Sequence, residues 1–372
     1  MGNNLIDNLV IGGGLAGGMT ALRLARAGRD VMLVEKERAA HHKVCGEFLS
    51  PEAVEYLCEA GIDLISLGAV PIEHLRLSVG SSVLEAPLPF RALSLSRCVL
   101  DAALLARGAE EGCIVRRRVT VARLAPKDHN WTAEWADGTV QQARTVFLAT
   151  GKHDLRGWSR TAGVQSDLVG FKLHWRLNAA ETQALRGFMD LFLFSGGYGG
   201  LALVENDAAN LCLVVRRSRL RKLGGWPEVL AGLLQENAHI GRRLAGACAL
   251  WERPLAISSI PYGYMSYRNS GAWCVGDQAA VIPSFTGDGM AIALHSGALA
   301  AEIYLDGRSP DQHQRMLRAQ LRRGMSTATW LSRAMVTNAG RALAPLALGV
   351  LPQAIGWIAE WTRIPLDALL ST

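Results

Sequence analysis

The hydrophobic pattern of the first third of the chain switches between two periods. Leu9-Val10-Ile11 is a short apolar run, Met19 to Ala27 carries apolar residues at helical spacing, and Val31-Met32-Leu33-Val34 is a second run that ends on Glu35. This predicts strand, helix, strand. Between the first two lie Gly12-Gly13-Gly14-Leu15-Ala16-Gly17, and in a β-α-β unit each of three glycines has a task. Gly12 permits the tight exit from the strand, Gly14 lets the backbone approach a pyrophosphate, and Gly17 lets the helix close on the sheet. Phosphates would then lie on free N–H groups at the helix N-terminus, with Leu15 and Ala16 in the contact. Glu35, with Lys36 beside it, stands where an acid accepts hydrogen bonds from ribose hydroxyls.

A polar, basic link follows, containing His41, His42 and Lys43, and leads into Val44-Cys45-Gly46-Glu47 and a helix from Glu52 to Ala60 that Gly61 stops. Cys45 lies in a loop beside the expected cofactor, where a thiol pKa can be tuned; packing as a small hydrophobe is the competing reading. The other six cysteines, at 58, 98, 113, 212, 248 and 274, lie in apolar patterns and are expected in the core. Ile72 to Phe90 alternates apolar and polar residues, which predicts a hairpin turning at Gly80-Ser81. Ser96-Arg97 opens a helix whose apolar face includes Leu100, Leu104 and Leu105, and strands follow at Val115 to Val119, Val121 to Ala125 and Trp131 to Trp135. Thr145 to Leu148 reads as a buried strand ending at Ala149-Thr150-Gly151, a small terminus that lets a cofactor reach the sheet edge.

From about Arg156 to Pro261 the alternation lengthens, with strands at Leu168 to Leu177, Phe188 to Phe194, Leu201 to Glu205 and Leu211 to Val215. This predicts a mostly antiparallel second sheet. Gly196-Gly197-Tyr198-Gly199-Gly200 has no helix after it and reads as a hairpin turn or substrate-facing loop. The chain then returns to the first domain through a strand at Ala272 to Val275, a turn at Gly276-Asp277, and the loop Pro283 to Gly289 that feeds a helix from Met290 to Tyr304. Asp277 can hold a polyol; alone it is better explained as an N-cap or turn aspartate, but in company with the first cradle the ligand reading prevails. The helix N-terminus would stabilise a site that gains negative charge. The fold class is α/β: residues 1–155, with a hairpin insertion at 71–95, then 156–262, the return segment 263–310, and helices over 311–372.

In that last region Gln312 to Arg333 carries five arginines, and Ala342 to Ala359 has no charge. The uncharged run is long enough to cross a bilayer, but Pro345, Gly349 and Pro352 are expected to break it. Helices covering an apolar pocket are preferred over an interfacial membrane segment. A length of 372 residues with 49% hydrophobic and 19% charged residues allows two domains and a large core. The net charge of +6 favours anionic partners, yet the cations are scattered and few aromatics interleave with them, so nucleic acid is not an expected partner. Seven cysteines without a C-x-x-C pair argue against disulfides and a zinc site and fit a cytoplasmic protein. Met1 to Asn4 leads straight into the first strand, which leaves no room for a signal peptide.

In their order, the glycine loop with Glu35, Arg97 with Asp101, Ala149-Thr150-Gly151, and Gly276-Asp277 with Pro283 and Gly287-Asp288-Gly289 resemble the FAD-dependent oxidoreductases of the para-hydroxybenzoate hydroxylase fold. The resemblance spans residues 5 to 310. It implies a Rossmann-like FAD-binding domain in which Gly12, Gly14 and Gly17 take the pyrophosphate, Glu35 the adenosine ribose, and Arg97 the phosphates. Asp277 would hold the ribityl side, and Gly287 to Met290 the pyrimidine edge of the flavin. Cys45-Gly46-Glu47 and Tyr198-Gly199 look most like the geranylgeranyl reductase branch. Two departures stand out. Gly151-Lys152-His153-Asp154 replaces the Asp-Gly pair that the monooxygenases link to NAD(P)H, and no Trp-x-Trp pair supports halogenation.

Three readings follow. An FAD enzyme with NADPH or NADH as electron donor hydroxylates or epoxidises a hydrophobic small molecule, which the breadth of the superfamily slightly favours. Alternatively, flavin hydride transfer reduces or forms a carbon–carbon double bond, with an acid among Cys45, His41, His42, His153 and Tyr198. The third is an FAD-binding partner protein without turnover, against which the pocket-forming second sheet argues. Cys45, His153 and Tyr198 are the catalytic candidates.

Overall fold

The computed structural model describes residues 5–267, 271–350 and 361–370; Met1 to Asn4 and Pro352 lie outside the described residues. Its first sheet is built on the predicted unit. Strand Leu5–Ile11 lies between Val31–Glu35 and Val140–Leu148, parallel to both, so Val10 stands beside Leu33 and Phe147. Ile114–Arg117 extends the sheet on one side, and the Val121–Lys127 and Asn130–Trp135 strands extend it on the other as an antiparallel pair. The return strand Trp273–Cys274 pairs with Phe147 and Leu148. Strands covered on both faces must be apolar throughout, and Leu9, Val10, Leu33 and Phe147 are fully buried.

Helix Leu15–Arg26 is packed between Arg97–Glu110 and Gly289–Leu305. The crossing with the return helix is so close that a Cβ on Gly297 would lie 2.4 Å from the Ala16 carbonyl oxygen. Only glycine fits there.

Among the described residues the second sheet has nine strands. Leu168–Arg176, Ala209–Arg216, Gly197–Leu203 and Gly187–Phe194 pair antiparallel in that order, and Gly187–Phe194 then runs parallel to Val70–Val79 of the hairpin Val70–Ser94. The alternation of these strands separates two faces. Phe192, Phe194, Leu213 and Val215 pack under the helices Trp226–Glu236 and Ala238–Arg243, while Leu193, Tyr198 and Val214 face the other way, with Leu77 and Tyr262.

Three expectations need correction. The glycine run at 196–200 is not a loop: the turn ends at Gly196, and Gly197 begins a strand. Cβ atoms on Gly197 and Gly199 would lie 2.3 and 2.4 Å from the rings of Phe194 and Phe192, so two aromatic rings occupy the space above these glycines. Of the six cysteines assigned to the core only Cys113 and Cys274 are buried; Cys58 and Cys248 are exposed, and Cys98 and Cys212 are partly covered. Cys212, on the central strand Ala209–Arg216, lines an internal cavity. Finally, helix Asn338–Val350 runs through Pro345 and Gly349. One missing N–H weakens a helix without ending it when packing holds the turns.

The long helix Pro310–Met335 starts at a capping box in which Ser309 and Gln312 exchange side-chain and backbone hydrogen bonds. Among the described residues no helix is long and apolar enough to cross a membrane.

Candidate active site

The glycine loop fits a diphosphate. Gly12 has φ of +112°, and a Cβ there would lie 2.4 Å from the Ala149 carbonyl oxygen, while one on Gly17 would lie 2.0 Å from the Gly12 carbonyl oxygen. A Cβ on Gly14, by contrast, meets no backbone. Its nearest neighbours are Arg97 Nη2 at 3.4 Å and Lys43 Nζ at 3.7 Å, so the open side of the loop faces two cations. Helix Leu15–Arg26 has no side-chain cap, which leaves its first N–H groups for a ligand. Asp101 accepts from Arg97 Nε at 2.8 Å, Arg97 Nη2 at 3.0 Å and Lys43 Nζ at 2.7 Å. Burial pushes the Asp101 carboxyl up, but Arg97 and then Lys43 outweigh it and hold the group ionised. One negative charge against two positive ones leaves a net cation for the phosphates.

Glu35 Oε2 accepts the Gly13 N–H at 2.8 Å and Oε1 the Glu37 N–H at 3.0 Å. A carboxylate has about four lone-pair directions, so capacity remains for ribose hydroxyls. Lys36, Cys45 and Gly46 line the same cavity, as do Leu15, Ala16 and Arg97.

Across the cavity stand Ala149, Thr150 and Gly151 from the end of a sheet strand, and Gly276, Asp277, Gly287, Gly289 and Met290 from the return segment. Ser296 Oγ accepts the Gly276 N–H at 2.7 Å. Helix Gly289–Leu305 has no side-chain cap either, so its N-terminal N–H groups are available where negative charge would develop. Three expected cofactor residues stand behind this wall. Gly17 and Pro283 support the backbone, and Asp288 turns away into the protein, fully buried, with Oδ2 lacking a hydrogen-bond partner among the described residues. Burial, and then the neighbouring Glu52 carboxylate, push the Asp288 carboxyl well up, against the pull of Arg363.

Beyond the cradle the cavity, about 1040 Å³, widens into a chamber between the second sheet and the C-terminal helices. Leu75, Leu77, Met189, Leu191, Val214 and Met335 are among its walls. Tyr198 is one of the polar groups set into them, with Tyr262 and Ser284. The Tyr198 hydroxyl lies 3.1 Å from Ser332 Oγ, which donates to Gln165 Oε1 at 2.7 Å, and burial pushes the phenol up to about 12. Cys45 Sγ accepts the Glu47 N–H at 3.4 Å. His153 is exposed at the rim, its imidazole pKa lowered by partial burial and then by Lys36. The three catalytic candidates thus border one cavity, and among the described residues no hydrogen bond joins them to one another.

Sequence reasoning missed an ionic knot beside the cavity. Glu47 is fully buried with φ of +59°. It accepts the Arg97 N–H at 2.8 Å and the Lys172 ammonium on Oε1, and His174 Nε2 at 3.0 Å on Oε2. Burial pushes its carboxyl up, but the His174 hydrogen bond and the Lys172 charge outweigh it and hold the pKa low. His42 lies edge-on to the His174 ring, Trp251 stacks on that ring, and burial followed by Lys172 and His174 depresses the His42 imidazole to about 4. His42, Glu47 and His174 are ligand types for a metal, yet the Lys172 ammonium already neutralises the carboxylate. The one sequence signal was Lys172 itself, a charged residue within the apolar strand Leu168–Arg176.

Residues 6–146 match the family described as FAD binding domain. The chain carries an FAD-binding domain and is an FAD-dependent oxidoreductase. This flavoprotein is 26% identical to a menaquinone reductase of Mycolicibacterium smegmatis, over 89% of its own length and 84% of the relative's. It is 27% identical to digeranylgeranylglycerophospholipid reductase 2 of Methanopyrus kandleri, covering 82% and 78% of the two chains, and 25% identical to protein FixC of Escherichia coli, covering 88% and 83%. Among solved structures, the flavin-dependent brominase Bmp2 superposes with a TM-score of 0.77 at 16% identity over 99% of this chain and 96% of the other. The halogenase PltM in complex with phloroglucinol and FAD gives 0.76 at 14% identity, covering 98% and 89%. Those two likenesses establish the shared fold.

Proposed function

We propose that the flavoprotein reduces, or in reverse forms, a carbon–carbon double bond in a long apolar molecule of isoprenoid or polyketide type. The observation that carries this reading is the apolar chamber opening directly from the nucleotide cradle. The relatives named for the reduction of menaquinone and of digeranylgeranylglycerophospholipid support it, and for that reason hydroxylation or epoxidation takes second place. When bound, FAD supplies a hydride to the substrate.

The chain's own residues do the rest. Arg97, Lys43 and the glycine loop hold the diphosphate, and the chamber walls exclude water and align the chain of the substrate. With flavin bound, the free N–H groups at the Gly289–Leu305 N-terminus would stabilise negative charge on it. Tyr198 is the candidate acid, its hydroxyl held through Ser332 to Gln165, and its proton would have to turn from Ser332 to the substrate. The donor of reducing equivalents is NADPH or NADH.

The test is an anaerobic reaction of FAD-loaded protein, reduced by NADPH, NADH or dithionite, with menaquinone or a geranylgeranyl lipid as probe. Reoxidation of the flavin with a product that is still heavier by two hydrogens in its isoprenoid chain after any quinol has been reoxidised in air supports the proposal; quinol formation alone does not. A product that forms only when oxygen is admitted, and contains it, replaces the proposal with hydroxylation.

A further inference from the structure

Among the described residues, the outer face of helix Pro310–Met335 is basic and ends at the mouth of the chamber. Arg315, Arg322, Arg323 and Arg333 are exposed, and among the described residues none of the four forms an ion pair or hydrogen bond. At 3.6 residues per turn these arginines and Trp330 fall within an arc of about 100°, along about 27 Å of helix. The only acid on the helix is Asp311, in its first turn. Trp330 is 70% exposed and yet lines the cavity, and so does Leu343 of the next helix, 60% exposed. Two large apolar side chains therefore stand in solvent at the entrance to an apolar chamber, flanked by uncompensated positive charge. A soluble substrate would need neither feature.

We propose that this face docks on an anionic lipid surface, with the arginines at the headgroups and Trp330 and Leu343 entering the interface, so that the chamber mouth opens onto the bilayer. Charge complementarity selects an anionic surface over a neutral one, and aromatic side chains favour the headgroup level. The contact is peripheral, since no described helix is long and apolar enough to span. The proposal deepens the reading of an apolar substrate, but its test involves no turnover and fails or succeeds separately.

FAD-loaded full-length protein is floated with vesicles of phosphatidylcholine alone or with one third phosphatidylglycerol. Binding is expected to the anionic vesicles, weaker by at least tenfold to the neutral ones, and released by molar salt. Exchanging Arg322, Arg323 and Arg333 together for Gln should lower the partition by about a hundredfold, from about fivefold per charge, with unchanged flavin content as the control for folding. Trp330→Ser should weaken binding about tenfold and leave its salt dependence in place. Equal binding to neutral vesicles, or an arginine variant that binds like the wild type, overturns the proposal. So does absence from anionic vesicles at low salt, which would assign the stripe to an acidic protein partner.

Discussion

The glycine cradle and the ionic knot at Glu47 both border the loop of residues 43–47, and they are held together by different physics. In the cradle the decisive contacts are between backbone atoms a few residues apart in sequence or on adjacent strands, and a glycine is needed because no atom fits where its Cβ would be. In the knot the contacts are between side chains that lie 125 and 127 residues apart, Glu47 with Lys172 and with His174. Sterics cannot be traded for anything else. A buried ion pair can be, and natural chains keep one where removing a single partner would strand the other.

The comparison can be broken most sharply in the cradle. Gly17→Val should leave no room for the Gly12 carbonyl, which lies 2.0 Å from the built Cβ, at a cost on the order of 5 kcal/mol or more. The variant is expected to be recovered without flavin, if soluble at all, as read from its visible absorbance.

Next comes Glu47→Gln, expected to cost about 3 kcal/mol by urea unfolding because the Lys172 ammonium loses its counter-charge while fully buried. The pH dependence has a definite sign. The Glu47 carboxyl is held below its ordinary 4.5, so its contribution is present above that pH and is lost as pH falls through the lower native value. Wild type should therefore show an acid decline below pH 4.5 that the glutamine variant lacks.

A third measurement separates this decline from a histidine one. His313 is fully buried, donates from Nε2 to the Ser296 carbonyl at 3.1 Å, and leaves Nδ1 with no partner among the described residues, so burial depresses its imidazole to about 4. Its stabilisation is present above the ordinary value of 6.5 and is lost as pH falls toward 4. Going from neutral pH to pH 4, wild type should lose about 3 kcal/mol more than His313→Asn. An equal loss in both proteins would show that this ring is not the one resisting protonation.

The smallest effect is expected at Tyr198→Phe. Removing the hydroxyl leaves the ring in place against Phe285 and takes away the bond to Ser332, worth about 1 kcal/mol. Flavin content should not change. The rate of anaerobic double-bond reduction should fall at least tenfold if the phenol supplies the proton.

Much of the first domain was legible because its signals are local. The strand, glycine turn, helix and acid of residues 9–35 form a contiguous pattern, and hydrophobic period alone distinguishes its elements. The hairpin at 70–94 was legible too, but its parallel pairing with Gly187–Phe194 was not, since parallel partners carry no short connection. The glycine run at 196–200 misled because a glycine-rich turn and a strand whose side-chain space is filled by neighbouring rings share one composition. Asp288 misled similarly. In sequence it belongs to the return loop, and only packing turns it away from the cavity toward Glu52 and Arg363.

By itself the sequence determined the α/β framework, the nucleotide cradle and the residue types that face it, because short-range sterics and period leave few alternatives. Tertiary structure alone decided that Glu47, Lys172 and His174 meet in one knot, that Tyr198 reaches Ser332, and that a basic helix face ends at an apolar mouth. Each of these depends on which distant segments pack together, and burial and charge take their value from that arrangement, which no local pattern encodes.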